Sequence, residues 1–333
     1  MRLPWPLLTL SLLACCGSAL EDGVALTPPR GWSSWYAFEK TISADKMERA
    51  ATVITTHRGP TGSGPTLAQL GYTYVQLDDG YQYCNHGING SFHAANGTLL
   101  VDPKKFPHGL AATNAKIHAQ NLTSGWYLNN WACSERGKLA AGWSLQADAD
   151  AVASLGFTGV KLDSGGPNGD IFAWHKALVS AAKTAGRSSP LYINNCHNSV
   201  QNTDPNNDSA ATLPPNTDQV PYLHEDERNM TGGQLLVCPM HSWRISHDMN
   251  PEFVQVMAQI QSVLPFQALF EPMARPGCWP DPDMLQLHGM NPTEGRSHFS
   301  VWAIASAPLV LSFDLNNTAL LDKLWPIIAQ PAS

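Results

Sequence analysis

"GVKLDSGG" (residues 159–166) decides how the rest of the chain is read. Val160-Lys161-Leu162 has the apolar, β-branched character of a strand, which stops at Asp163 and falls into small turn residues. Side chains alternate along a strand, so Lys161 and Asp163 share one face and Val160 and Leu162 the other. Alone, such an ending reads as a salt-bridged strand end. It recurs, however. "VQLDD" (75–79) ends on Asp78 and Asp79, "GWYLNN" (125–130) offers Tyr127 and Asn129, and "YINN" (192–195) ends on Asn194 and Asn195. "WRISHD" (243–248) carries Arg244 and Asp248, and the loop "CWPDPDM" (278–284) adds Asp281 and Asp283. Acids, a lysine and an arginine gathered in one mouth are costly for folding alone. The pattern therefore points to function.

Around this stretch, strand-like runs fall at 72–78, 124–128, 158–163, 190–195, 243–247, 266–270 and 309–313, with another near Trp32. Helical stretches at 43–56 (with Ser43 as N-cap), 111–120, 144–155, 171–184, 251–263 and 294–306 lie between them. Strand–helix alternation repeated eight times implies an α/β protein with parallel strands. The count favours a closed (β/α)8 TIM barrel over a doubly wound sheet. In a barrel the loops that follow strands build the active face. Asn85–Thr98 and Asp204–Thr217 are long, polar loops of this kind and are expected to wall the site.

The first 19 residues have an early Arg, a short apolar stretch and small residues at 17–19, the pattern of a cleaved secretory signal. The barrel is then expected over residues 20–333, with no segment that reads as a membrane span. Six Asn-X-Ser/Thr sequons, at Asn89, Asn96, Asn121, Asn207, Asn229 and Asn316, fit a glycoprotein of the secretory route, secreted or lysosomal/vacuolar. Five cysteines follow the leader, Cys84, Cys133, Cys196, Cys238 and Cys278, which suggests two bridges and one free thiol.

The net charge of −7 argues against nucleic-acid partners. Among 12 His there is no His-X-His or HExxH, and no CxxC, P-loop, GxGxxG or GxSxG occurs. No metal or cofactor is expected. Carboxylates at strand ends, with 11 Trp in the chain, suit a glycosidase, in which one carboxylate attacks the anomeric carbon and another protonates the leaving oxygen.

The stretches "TPPRGWSSW" (27–35), "LGYTYVQLDDG" (70–80), "DPKKFPHGL" (102–110), "GVKLD" (159–163), "WRISHD" (243–248), "PDPDML" (280–285) and "HFSVWAIASAPLVLSFDL" (298–315) resemble glycoside hydrolase family 27, the α-galactosidase/α-N-acetylgalactosaminidase family, in the family's order. The resemblance implies a retaining, cofactor-free enzyme on a (β/α)8 barrel. It implies Asp163 as nucleophile and Asp248 as general acid/base. Asp78 and Asp79 would bind the C4 and C6 hydroxyls of a galactose-type ring, and Lys161 and Arg244 would bind hydroxyls and tune the acids. Trp35, Tyr127 and Met284 would wall the pocket, although Trp35 and Met284 also suit a core.

The departures are informative. Family members usually carry Cys after the Asp-Asp pair and another after the first strand, where this chain has Gly80 and, approximately, Lys40. Gly165 replaces a Cys two residues past Asp163, so Cys133 would pair with Cys84. The resemblance further implies a Cys196–Cys238 bridge that leaves Cys278 unpaired. Galactose-preferring members usually place Glu or Trp just past the Cys of the fifth strand, where "CHNSVQ" (196–201) offers His197 for the C2 subsite. No C-terminal β-sandwich is evident before the chain stops. The expected activity is an exo-acting retaining α-galactosidase on oligosaccharides or glycoconjugates. The alternatives are an α-N-acetylgalactosaminidase, a related α-glycosidase, or a catalytically silent carbohydrate-binding barrel.

Overall fold

The computed structural model describes residues 22–58, 62–129, 133, 144–163, 169–196, 222–225, 234–267 and 274–330. The expected leader, His197 and the 204–217 loop lie outside them. Eight strands form one parallel sheet: β1 (Arg30–Ser33), β2 (Tyr74–Leu77), β3 (Thr123–Leu128), β4 (Gly159–Asp163), β5 (Tyr192–Cys196), β8 (Ser242–Arg244), β9 (Trp279–Asp281) and β10 (Leu309–Leu311). Their order is β10-β1-β2-β3-β4-β5-β8-β9. Just past β9, Leu285 donates its N–H to Val310 O at 2.7 Å and makes a parallel bridge to Leu311. That contact joins the two ends of the sheet, and the fold is the expected (β/α)8 TIM barrel.

The helices α2 (Ala44–Thr55), α3 (Gly109–His118), α4 (Leu145–Ser154), α5 (Ile171–Thr184), α6 (Phe253–Gln267) and α7 (Pro292–Ile304) connect successive strands, and α8 (Thr318–Ile328) follows β10. Ser43 caps α2 by accepting from Lys46 N. Strands covered by helices outside and filled by side chains inside have no solvated face. Val160 and Leu162 accordingly join the apolar core, while Lys161 faces the barrel interior and is also buried.

At the N-terminal end the interior is plugged by Tyr74 and Tyr192, whose ring centroids are 5.4 Å apart. Glycine makes the room. A Cβ on Gly125 would overlap the Tyr74 hydroxyl, and one on Gly159 would lie 2.9 Å from Tyr192 Cβ.

Two expectations need correcting. The run at 266–270 is not the seventh strand, because α6 continues through Gln267; residues 268–270 are not among those described. The seventh strand is Trp279–Asp281, inside the stretch expected as a loop. A short apolar run fits either a buried strand or a helix end, and Pro280 hides the real strand. Between β5 and β8 the chain also forms an unexpected antiparallel pair, β6 (Tyr222–Glu225) with β7 (Gln234–Val237).

Candidate active site

The predicted acids meet at the C-terminal ends of the strands. Lys161 reaches across the interior from β4, and its Nζ donates to Asp78 Oδ2 at 2.9 Å. Ser33 Oγ (3.3 Å) and Gln76 Nε2 (3.2 Å) donate to the same oxygen, and Asp79 N–H donates to Asp78 Oδ1 at 2.9 Å. Asp78 Oδ2 is thus fully engaged within the protein, while Oδ1 accepts one bond and keeps room for a further donor. Burial alone would favour neutral Lys161, but the Asp78 carboxylate outweighs it and holds the lysine above its ordinary value. Asp163 contributes in the same direction through its charge, though the hydrogen bond of Lys161 goes to Asp78.

Asp79 differs. It is buried, its Oδ1 meets no donor within hydrogen-bond distance among the described residues, and burial pushes its carboxyl above the usual carboxylate range against the opposing pull of Gln82. A buried acceptor without a partner is uncommon and suits a bound hydroxyl.

Asp163 closes β4, half-buried. Its Oδ2 accepts the Tyr127 hydroxyl, and Asn129 Nδ2 donates to its backbone carbonyl at 2.6 Å. Burial, then the Asp163 charge, raises the Tyr127 phenol well above its ordinary value, so it remains a donor. Lys161 Nζ lies 5.4 Å from the Tyr127 ring centroid.

On the other side, Arg244 Nη2 lies 3.0 Å from Asp248 Oδ1 and 3.1 Å from Asp283 Oδ2. The Asp248 side chain is 65% exposed, whereas those of Arg244 and Asp283 are buried. Asp283 Oδ2 also accepts from Tyr36 Oη and Met249 N–H, both at 2.8 Å. Burial raises the Asp283 carboxyl even beside Arg244. The Arg244 guanidinium stays charged, because the surrounding carboxylates, Asp283 foremost, offset its desolvation. The supporting roles of Asp283 and Tyr36 were not legible in the sequence; the only signals were two aspartates in "PDPD" and a Tyr beside Trp35. Trp35 opens α1 (Trp35–Phe38), half-buried, and Met284 is buried next to Asp283.

The cysteines correct another expectation. Cys84 pairs with Cys133, as anticipated, but the second bridge is Cys238–Cys278, and among the described residues Cys196 is the cysteine outside a disulfide. Cys238 and Cys278 precede the neighbouring strands β8 and β9 at the N-terminal end of the barrel. Cys196 ends β5 at the opposite rim, with Arg244 Nη1 at 3.7 Å from its Sγ.

Below the acids a cavity of about 20 Å³ is lined by Gln76, Lys161, Asn194, Arg244, Asp281 and Asp283, among others. A cavity of about 610 Å³ at the other end of the barrel, lined by Arg30, Thr73, Tyr74, Thr123, Thr158 and Arg187 among others, is remote from these acids. The first has room for about one water and lies under the acids that face the C-terminal end of the barrel, the end at which barrels of this type do their chemistry.

Comparison with known proteins identifies the family. The family model described as alpha galactosidase A matches residues 27–211 and 222–324. The chain is 28% identical to an alpha-galactosidase of Cyamopsis tetragonoloba over 301 residues, covering 89% of this chain and 61% of the relative. It is 26% identical to an alpha-N-acetylgalactosaminidase of Gallus gallus over 308 residues, covering 89% and 67%. The chain thus spans about three fifths to two thirds of the length of these curated relatives. The solved structure of an alpha-galactosidase from Saccharomyces cerevisiae with raffinose superposes with a TM-score of 0.63 at 22% identity, covering 90% of this chain and 62% of that one. These matches establish that the chain belongs to the alpha galactosidase A family, within glycoside hydrolase family 27.

Proposed function

We propose that the protein is an exo-acting retaining α-galactosidase of the secretory route, releasing terminal α-linked galactose from oligosaccharides or glycoconjugates. The observation that carries this reading is the contrast between Asp163, held on the Tyr127 hydroxyl, and Asp248, exposed at the pocket edge beside Arg244. Two carboxylates in different surroundings can divide nucleophile and acid roles. Asp163 attacks the anomeric carbon, and the bond from that carbon to the leaving oxygen breaks as Asp248 gives that oxygen its proton. Asp248 then takes a proton from water, which attacks the same carbon and releases Asp163 with net retention. Asp79 Oδ1 accepts a ring hydroxyl, Lys161 and Arg244 reach others, and Trp35, Tyr127 and Met284 wall the ring. Asp78, braced through Oδ2 by Lys161, Ser33 and Gln76, holds that side of the pocket rigid and offers Oδ1 to a second ring hydroxyl.

Hydrolysis of p-nitrophenyl α-D-galactopyranoside, followed by proton NMR, tests the reading. The α-anomer is expected as first product, and Asp163→Asn is expected to abolish turnover because an amide cannot form the glycosyl-enzyme. A β-anomer first product, or near-wild-type activity of Asp163→Asn, overturns the mechanism. A second reading, α-N-acetylgalactosaminidase, is favoured by the 26% identical Gallus gallus relative. Faster cleavage of the N-acetyl substrate would select it, with His197→Ala probing the C2 subsite.

A further inference from the structure

We propose that Lys105 is a positioning residue for the sugar pocket, its ammonium clasping the chain that leaves β1 to the chain that leaves β2 and so fixing where Asp79 presents its carboxylate. The proposal rests on the α-galactosidase reading of that pocket. Lys105 Nζ donates to Lys40 O at 2.7 Å and to Gly80 O at 2.5 Å. These carbonyls belong to segments 40 residues apart, one following Trp35 and Tyr36, the other adjoining Asp79. Two carbonyl dipoles converging on one point need a cation or paired donors between them, and charge-assisted hydrogen bonds are the stronger kind.

The backbone carrying Lys105 is wired to both segments. Its carbonyl accepts the Ala44 N–H at 2.9 Å, in the first turn of α2, and Asp102 N–H donates to Tyr81 O at 2.8 Å. The segments themselves are in close contact. A Cβ on Gly80 would lie 2.7 Å from Lys40 Cα, and Gly80 has φ +108°, a conformation L side chains rarely adopt. Neither position is a cysteine, so no disulfide can join them. The Lys105 ammonium is the group that bridges their carbonyls.

What the clasp protects is specific. Asp78 is braced by Ser33, Gln76 and Lys161, whereas the Asp79 carboxyl has Gln82 and the Gly80 N–H beside it and its Oδ1 meets no donor among the described residues, so its position leans on the Gly80 backbone. Gly80, whose carbonyl Lys105 holds, is the next residue. Loosening it is expected to weaken binding of the C6 hydroxyl, the one matched to Asp79, more than the chemical step.

The test compares wild type, Lys105→Met and Lys105→Arg on p-nitrophenyl α-D-galactopyranoside and its 6-deoxy analogue. Displacing a substrate-holding group by about an ångström costs up to roughly a hundredfold. Lys105→Met is therefore expected to lose between about tenfold and a hundredfold in kcat/KM on the galactoside, mainly through KM, and less than about threefold on the 6-deoxy substrate. Lys105→Arg, which keeps charge and two donors, is expected to retain most of the discrimination. Should Lys105→Met not fold, Lys105→Gln is read by the same ratio. An equal loss on both substrates means a general structural role, and no loss means no role; either overturns the proposal. A wild type that cleaves neither substrate, nor the N-acetyl analogue, overturns the glycosidase reading itself and the proposal with it.

Discussion

Arg244 and Asp283 form a buried ion pair, 3.1 Å between Nη2 and Oδ2, and the same guanidinium reaches the exposed Asp248 at 3.0 Å. Asp283 fixes the arginine, and the arginine in turn holds Asp248. Removing the buried acid leaves a guanidinium with 2% side-chain exposure whose remaining ion-pair partner within 4 Å, among the described residues, is the exposed Asp248, with the Asp281 charge nearby. Breaking such a pair from one side typically costs about 3–5 kcal/mol. Asp283→Asn is therefore expected to lower unfolding free energy by several kcal/mol in urea titrations and to change the pH profile of kcat. A loss below about 1 kcal/mol would show that Arg244 is compensated elsewhere.

His298, on α7, is fully buried, with neither ring nitrogen hydrogen-bonded, and burial lowers its pKa to about 3. The unfolded chain binds this proton near pH 6.5 while the folded protein resists it. The contribution is fully present above pH 6.5 and is lost progressively as pH falls toward about 3. At pH 5 the loss amounts to about 2 kcal/mol. His298→Leu is expected to flatten the decline in stability between pH 7 and pH 5 by about that amount. Parallel pH–stability curves for wild type and variant would assign the acid sensitivity to other groups.

The thiol pattern is checked chemically. On protein lacking the leader, Ellman's reagent is expected to find no reactive thiol in the native state, because Cys196 is buried and its pKa is raised by burial. One thiol should appear on unfolding without reductant, since the other four cysteines are bridged. Three thiols on unfolding would contradict one of the bridges.

The barrel and much of the site were legible because their signals are local. Val160 and Leu162 against Lys161 and Asp163 state the two faces of β4 within five residues, and the acidic end of β2 does the same. What escaped depends on distant partners or unusual backbone. Pro280 conceals β9, and the apolar tail of α6 imitates a strand. Asp283 acts through φ +95° and a partner 39 positions earlier in the chain, neither of which its neighbours announce. The Cys238–Cys278 bridge follows from β8 and β9 being adjacent, which became readable only once β9 was placed.

Asp79 sets stability against binding. Its Oδ1 is buried without a donor and burial raises its pKa, so at neutral pH the folded protein carries a carboxylate it disfavours relative to the unfolded chain. The sign follows: this destabilisation is absent below the unfolded value near 3.8 and develops as pH rises through the folded one. Asp79→Asn removes the charge and is expected to raise unfolding free energy at pH 7, with the gain shrinking toward pH 4. Under the α-galactosidase reading the same variant loses a charged acceptor for a sugar hydroxyl, so kcat/KM on the α-galactoside is expected to fall by about a hundredfold or more. Thermal unfolding and kinetics on one preparation test both halves together. A variant that is less stable and equally active would mean that Asp79 is satisfied within the protein and faces no substrate.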